Sequence, residues 1–194
     1  MNNCDTGALI KNLRTEKGLT QAQLADMLSV SDRTVSKWET GRGCPDVSIL
    51  PALSEILGVN VEEILKGGIK CNDFVSGNMK KANYFVCPEC GNIVLSTGNA
   101  SVSCCGRRLL PCTAQKADEM HEVKAEIIEN DWFITCNHEM EKEHYISFVA
   151  FASAGEIKIF KTYPEWELQV RFPKRGHGLL LWYCTRHGLF YRAV

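Results

Sequence analysis

The sequence predicts a multidomain α + β protein: a head of five short helices, a small cysteine-bearing ribbon, and a β-sandwich or barrel at the C-terminal end. Three observations predict it. Up to Gly68 the apolar residues recur at helical spacing and are punctuated by glycines. From Tyr84 onward the texture changes to short β-prone runs broken by Gly, Pro and Asn. Between these regions, Gly67 to Ala82 is polar and aperiodic, as a linker is.

Each helix has its own signals. Leu9, Ile10 and Leu13 share one face of the first, and Gly18 stops it. Thr20 with Gln23 forms a capping box for the second, which turns Leu24, Ala25 and Leu28 inward. Ser31 caps the third, with Val35 and Trp38 inward and Gly41 at its end. Asp46 or Ser48 is expected to open the fourth, running through Leu50, Leu53, Ile56 and Leu57 to Gly58. Asn60 with Glu63 opens a fifth, closed by Gly67 and Gly68. Strands are expected at Tyr84–Val86, Val123–Ile128, Trp132–Cys136, Tyr145–Ala152, Glu156–Lys161, Glu167–Phe172, Leu179–Cys184 and Leu189–Arg192. Short strands at such intervals fit a sandwich or barrel better than a parallel sheet.

At 194 residues, with 45% hydrophobic and 23% charged residues, the chain has room for two small domains of ordinary globular composition. No apolar run reaches the roughly 18 residues of a membrane span, and Met1 to Ile10 lacks the build of a secretion signal, so no membrane partner and a cytoplasmic location are expected. The net charge of -1 means that nucleic-acid binding must rest on local placement of Lys and Arg. In a reducing compartment, ten clustered cysteines point to metal binding or catalysis before disulfides.

Gln21 to Glu39 carries two short helices around a tight Ser29-Val30-Ser31 turn. With Gly18-Leu19-Thr20-Gln21, Leu24-Ala25, Val30-Ser31, Val35-Ser36-Lys37-Trp38-Glu39, Gly41 and Pro45-Asp46, it resembles the Cro/repressor-type (XRE family) helix-turn-helix domain. A recognition helix needs an apolar side locked to its domain and a polar side free for the major groove. Val35 and Trp38 supply the first; Asp32, Arg33, Thr34, Ser36 and Lys37 supply the second. Arg33 and Lys37 suit guanine edges or phosphates. The resemblance implies that Gln21 and Arg42 sit on the phosphate backbone of double-stranded DNA, and that the chain is a homodimer reading paired half-sites.

Cys87-Pro88-Glu89-Cys90-Gly91 and Cys104-Cys105-Gly106 place two pairs of thiolates at short spacing, which suits a tetrahedral metal. Ligand type alone does not choose between zinc and iron. Cys-x-x-Cys-Gly-Asn-Ile-Val followed by Cys-Cys-Gly resembles the desulforedoxin-like domain of desulfoferrodoxins, which implies one iron (Fe) on Cys87, Cys90, Cys104 and Cys105, with zinc (Zn) as the alternative.

His138-Glu139-Met140-Glu141-Lys142-Glu143-His144-Tyr145-Ile146 resembles the paired-histidine segment of superoxide reductases, and Cys184-Thr185-Arg186-His187-Gly188-Leu189 their thiolate loop. Glu119-Met120-His121 falls where that family has its first ligand. The resemblance implies an immunoglobulin-like β-sandwich holding a second iron on His121, His138, His144 and His187, with Cys184 on the axis and the sixth position open or held by Glu119. It further implies one-electron reduction of superoxide to hydrogen peroxide, an external electron donor such as rubredoxin, and a homodimer. A thiolate pushes electron density along its axis, and an exposed cationic iron attracts a small anion. The family usually has Lys where this chain has Met120, so capture of superoxide or proton delivery should be slower unless Lys124 or Lys142 compensates. His177, Cys4, Cys44, Cys71, Cys112 and Cys136 match no ligand position.

The expected organisation is a helix-turn-helix domain at 1–68, a linker at 69–82, the Cys4 domain at 83–116 and the iron-binding sandwich at 117–194. The leading expectation is a redox- or iron-responsive DNA-binding regulator with superoxide reductase chemistry. Two alternatives stay open: an enzyme whose helical domain only dimerises, and a metal-sensing regulator without turnover.

Overall fold

The computed structural model describes residues 3–72, 78–174 and 176–194; the side chains of Asn3 and Cys4, and residues 73–77 of the expected linker, lie outside the described residues. The chain divides into two compact units, Met1–Cys71 and Asn72–Val194.

The first unit has five helices: α1 (Asn3–Glu16), α2 (Gln21–Met27), α3 (Asp32–Glu39), α4 (Leu50–Leu57) and α5 (Val61–Lys66). The capping box on α2 forms as expected, with Thr20 Oγ1 accepting from Gln23 N at 3.1 Å and Gln23 Oε1 accepting from Thr20 N at 2.8 Å. Ser29, at φ 54, makes the turn into α3. The fourth helix begins later than the sequence signals suggest. Asp46 Oδ1 accepts from Ser48 N and Oγ at 2.9 and 2.6 Å, which makes a separate turn, and α4 starts at Leu50 with Pro51 in its first turn.

The core joins Leu9, Ile10 and Leu13 of α1 to Leu24, Val35, Trp38, Leu53, Leu57 and Ile64. Gly7 allows α1 to lie against α3: a Cβ there would sit 2.1 Å from the Trp38 carbonyl oxygen. Arg14 Nε and Nη2 donate to the Glu39 carboxylate at 2.5 and 3.0 Å, and Gln21 Nε2 donates to it at 2.7 Å. Both side chains of this ion pair are buried, at 10% and 2% exposure.

The second unit has twelve strands among its described residues: β1 (Asn83–Val86), β2 (Ile93–Ser96), β3 (Val102–Cys104), β4 (Arg107–Leu109), β5 (Gln115–Lys116), β6 (Val123–Ile128), β7 (Asp131–Cys136), β8 (Ile146–Ala152), β9 (Ile157–Lys161), β10 (Gln169–Pro173), β11 (Leu179–Cys184) and β12 (Gly188–Ala193). The sequence signals missed β2 to β5. These strands are two to four residues long and half-buried or exposed, apart from buried Leu109, so alternation has no room to show. The end of the expected linker is also structured. Met79–Lys81 forms a 3-10 turn, and Met79 N donates to Ala154 O at 3.2 Å.

Three layers result. A three-stranded sheet, β10-β7-β6, faces a five-stranded sheet, β5-β12-β11-β8-β9. Val123, Ile134, Val170 and Phe172 from the first interdigitate with Ile146, Val149, Phe151, Leu180 and Trp182 from the second. On the outer face of the larger sheet, Phe148, Ala150 and Leu181 pack against Tyr84 of the β1–β2 hairpin. Phe85, the next residue along β1, points the other way and forms a small core with Cys87 and Leu109. Every residue of β8 is buried.

The Arg14–Glu39 pair sets a stability prediction for the helical unit. Burial raises the Glu39 pKa, but the hydrogen bonds from Arg14 and Gln21 outweigh it and hold the carboxyl below its ordinary value of 4.5. Its contribution is therefore present above that value and lost as pH falls below it. Arg14→Met leaves a buried carboxylate without its cation and should destabilise this unit by about 3 kcal/mol, read by urea unfolding at pH 7. The difference between variant and wild type should shrink below pH 4.

Candidate metal centres and recognition helix

On α3, Ser31 caps the helix by accepting from Thr34 N at 3.1 Å, and its hydroxyl also pairs with Thr34 Oγ1 at 2.8 Å. Val35 and Trp38 are buried at 0% and 3% exposure. Asp32, Arg33 and Lys37 are exposed, and Thr34 and Ser36 are half-buried. Arg42 is also exposed, with its backbone N–H closing onto Lys37 O at 2.9 Å. Gln21, at the start of α2, directs its amide to Glu39.

The first cysteine group is built from two turns. Cys87 N donates to Asn92 O, and Gly91, at φ 65, returns its N–H to Cys87 O, both at 2.9 Å. Cys105 and Gly106 have φ of 50 and 74 between paired Cys104 and Arg107, the geometry of a two-residue type I′ hairpin turn. The four sulfurs lie within 4.8 Å of one another. Backbone N–H groups of Cys90 and Glu89 stabilise the Cys87 thiolate, pulling its pKa down to about 7. Sharing with the sulfurs of Cys90, Cys87 and Cys104 pushes Cys105 up to about 12. Four thiolates at this spacing need a cation to ionise together.

The second group draws on distant segments. His121 follows β5, His138 follows β7, His144 precedes β8, Cys184 ends β11 and His187 lies in the turn before β12. Ligand atoms of His121, His138, His144 and Cys184 lie within 4.8 Å of one another. His187 joins at the edge, with Nδ1 2.8 Å from His121 Nε2 and 3.5 Å from Cys184 Sγ. Cys184 is placed by a one-residue slip in register between Tyr183 and itself, so that it pairs with Ile146. Nε2 of both His138 and His144 is buried without a hydrogen-bond partner. Burial also lowers the His138 pKa. Convergent imidazole nitrogens with unused lone pairs beside a thiol are what a borderline transition metal takes up.

Glu119, in contrast, is exposed, on a cavity of about 500 Å³ shared with Lys116, Tyr191 and Arg192. Met120 is 70% exposed. Lys142 faces Glu165 at 3.8 Å, and Lys124 is exposed on β6. His177 and Cys71 are exposed; Cys44, Cys112 and Cys136 are half-buried. No described helix is long and apolar enough to cross a membrane.

Two residues near the second group were not singled out from sequence. Asp118 Oδ1 lies 2.5 Å from His121 Nδ1, and Glu139 Oε2 lies 3.5 Å from His144 Nδ1. A carboxylate three residues before His121 and another five before His144 were the available signal.

Residues 10–64 match the family described as Helix-turn-helix (HTH_3). This segment is a helix-turn-helix domain of the XRE type. Over 58 residues the chain is 45% identical to the HTH-type transcriptional activator BcrR of Enterococcus faecalis, covering 30% of this chain and 28% of that protein. Over 61 residues it is 41% identical to the SPbeta prophage-derived uncharacterized HTH-type transcriptional regulator YonR of Bacillus subtilis (strain 168), covering 31% and 56%. The chain thus spans only about a quarter and about half of these relatives. The superoxide reductase from Treponema pallidum superposes with a TM-score of 0.52 at 20% identity, over 58% of this chain and 98% of that one. The β-rich unit therefore has the superoxide reductase fold.

Metal uptake at the four cysteines should release more protons at pH 6 than at pH 8, because the Cys87 thiol titrates near 7. Calorimetric titration of metal-stripped protein in buffers of different ionisation enthalpy measures this.

Proposed function

We propose that this chain is a cytoplasmic, DNA-binding transcriptional regulator that carries two iron centres and reduces superoxide at the second. The supporting observation is the convergence of the buried His121 and His144 rings, the half-buried His138 ring, the Cys184 sulfur and the adjoining His187 Nδ1, with His138 Nε2 and His144 Nε2 left without partners. We assign residues 83–116 to the Cys4 module, whose last strand β5 joins the sandwich sheet, and 117–194 to the histidine-rich sandwich, with the helix-turn-helix domain in 1–68 and the linker at 69–82, which ends in the Met79–Lys81 turn.

His121, His138, His144 and His187 would hold iron with Cys184 as the anionic ligand, and Cys87, Cys90, Cys104 and Cys105 would hold the other iron, or zinc. Iron held at the histidine site would supply one electron to superoxide, which with two protons would give hydrogen peroxide, and an external donor such as rubredoxin would return the electron. The chain's own groups shape that exchange. Cys184 is 0% exposed, which keeps its sulfur from solvent, and the exposed edge at His187 leaves a small anion a way in. On α3, Arg33 and Lys37 reach base edges or phosphates from the free face, with Asp32, Thr34 and Ser36 beside them and Gln21 and Arg42 at its margins. Paired half-sites make a homodimer the expected form.

A regulator that senses through iron without turnover is favoured by one feature. Exposed Met120 stands where the resemblance implies a cation, and Lys142 is drawn toward Glu165.

Purified protein should contain two metals per chain and consume superoxide when a reductant is supplied. His144→Ala should lose one metal and the turnover while keeping the other metal. One zinc and no iron would sink both redox readings. Separately, Lys37→Ala should weaken DNA retention across sequences or relax one base preference; if Lys37 meets a phosphate, the slope of log affinity against log salt falls by about 1.

A further inference from the structure

We propose that Asp118 is a positioning residue of the histidine cluster: its carboxylate fixes the protonation pattern of His121 and, through it, of His187, and makes the metal held there more electron-rich. This rests on the reading of that cluster as a metal site.

His121 is 3% exposed and held on every side. Its ring stacks on Phe190 with centroids 4.4 Å apart and planes at 15°. Its carbonyl accepts from Trp182 Nε1 at 2.9 Å. Its backbone N–H donates to Asp118 Oδ1 at 2.9 Å, and its Nδ1 meets the same oxygen at 2.5 Å. An ionised carboxylate only accepts, so the proton of a neutral ring at this site sits on Nδ1. Nε2 is then a lone pair, and it faces His187 Nδ1 at 2.8 Å. In the metal-free chain His187 must donate that hydrogen bond. A metal taking both nitrogens would shift His187 to its other tautomer, whose single N–H sits on Nε2, where the exposed side chain can meet water.

Thus, in the metal-free chain, one carboxylate sets the tautomers of two of the four imidazoles, and it keeps His121 Nε2 free for a metal. Such a partner orients a ligand, raises its basicity and places negative charge behind the metal. Asp118 is 62% exposed, so it is not needed to fill space, and its removal should leave the sandwich folded.

The test uses the full chain. In metal-stripped protein at pH 8, nitrogen-15 correlation spectra should place an N–H of His121 on Nδ1, facing Asp118; Asp118→Ala should redistribute that proton, and Asp118→Asn should retain it. After loading with ferrous iron, both variants should lose the histidine-bound iron to a chelator about 10- to 100-fold faster than wild type. Both should also have a higher reduction potential at that centre, whereas Glu126→Gln, an equal charge change on exposed β6, should match wild type. If wild-type protein takes up iron only at the cysteines, the metal reading falls and this proposal with it. If wild type loads both centres and the Asp118 variants match it in iron loss and potential, the proposal falls alone. A His121 ring with its N–H on Nε2 and none on Nδ1 also overturns it.

Discussion

Lone pairs that converge with nothing to receive them impose the governing constraint on the β-rich unit. Two imidazole nitrogens, on His138 and His144, are buried without donors, beside a sulfur that is itself buried. Buried acceptors of this kind are expensive unless a hydrogen bond or a cation satisfies them. The scaffold must therefore be rigid enough to force them together, and the sandwich is. Ile134, Ile146 and Trp182 are all solvent-free within four residues of a ligand. The Arg14–Glu39 pair plays the corresponding part in the helical unit. There the polar groups do find each other, and Gln21 completes the set.

Local backbone chemistry aims the donor atoms. The first cysteine group uses the left-handed backbone at Cys105 and Gly106 to bring adjacent sulfurs onto one corner of a hairpin. A non-glycine residue is disfavoured there, and it is tolerated where the surroundings fix it. The second group depends on a slipped register beside Cys184 and on an aspartate-held turn at His121.

How much could be read in advance depended on where the signal was written. The helix-turn-helix was legible because its caps are local: Thr20, Gln23 and Ser31 act within four residues of themselves. Asp46 misled because its carboxylate satisfies Ser48 in a preceding turn, and a capping residue looks the same whichever turn it serves. Strands β6 to β12 were visible as apolar runs within about two residues of their ends, whereas β2 to β5 are short and take their order from the hairpins around the cysteines. Among the metal-site residues, the ligand set came from family resemblance, and no periodicity marks His121 or His187. Asp118 was passed over although it stands three residues before His121. A carboxylate behind a histidine is recognisable only when the ring is known to face it.

The strand β8 has a consequence for anyone who would cut this protein into parts. Its seven residues are buried because one side faces the sandwich interior and the other lies under the β1–β2 hairpin. Removing the cysteine ribbon would strip the cover from Phe148, Ala150 and Leu181 and leave a greasy wall open to water and to other molecules. The histidine-bearing sandwich is thus not a freestanding cassette in this chain. The ribbon serves as its roof, and a fragment beginning at residue 117 should clump before it could be assayed.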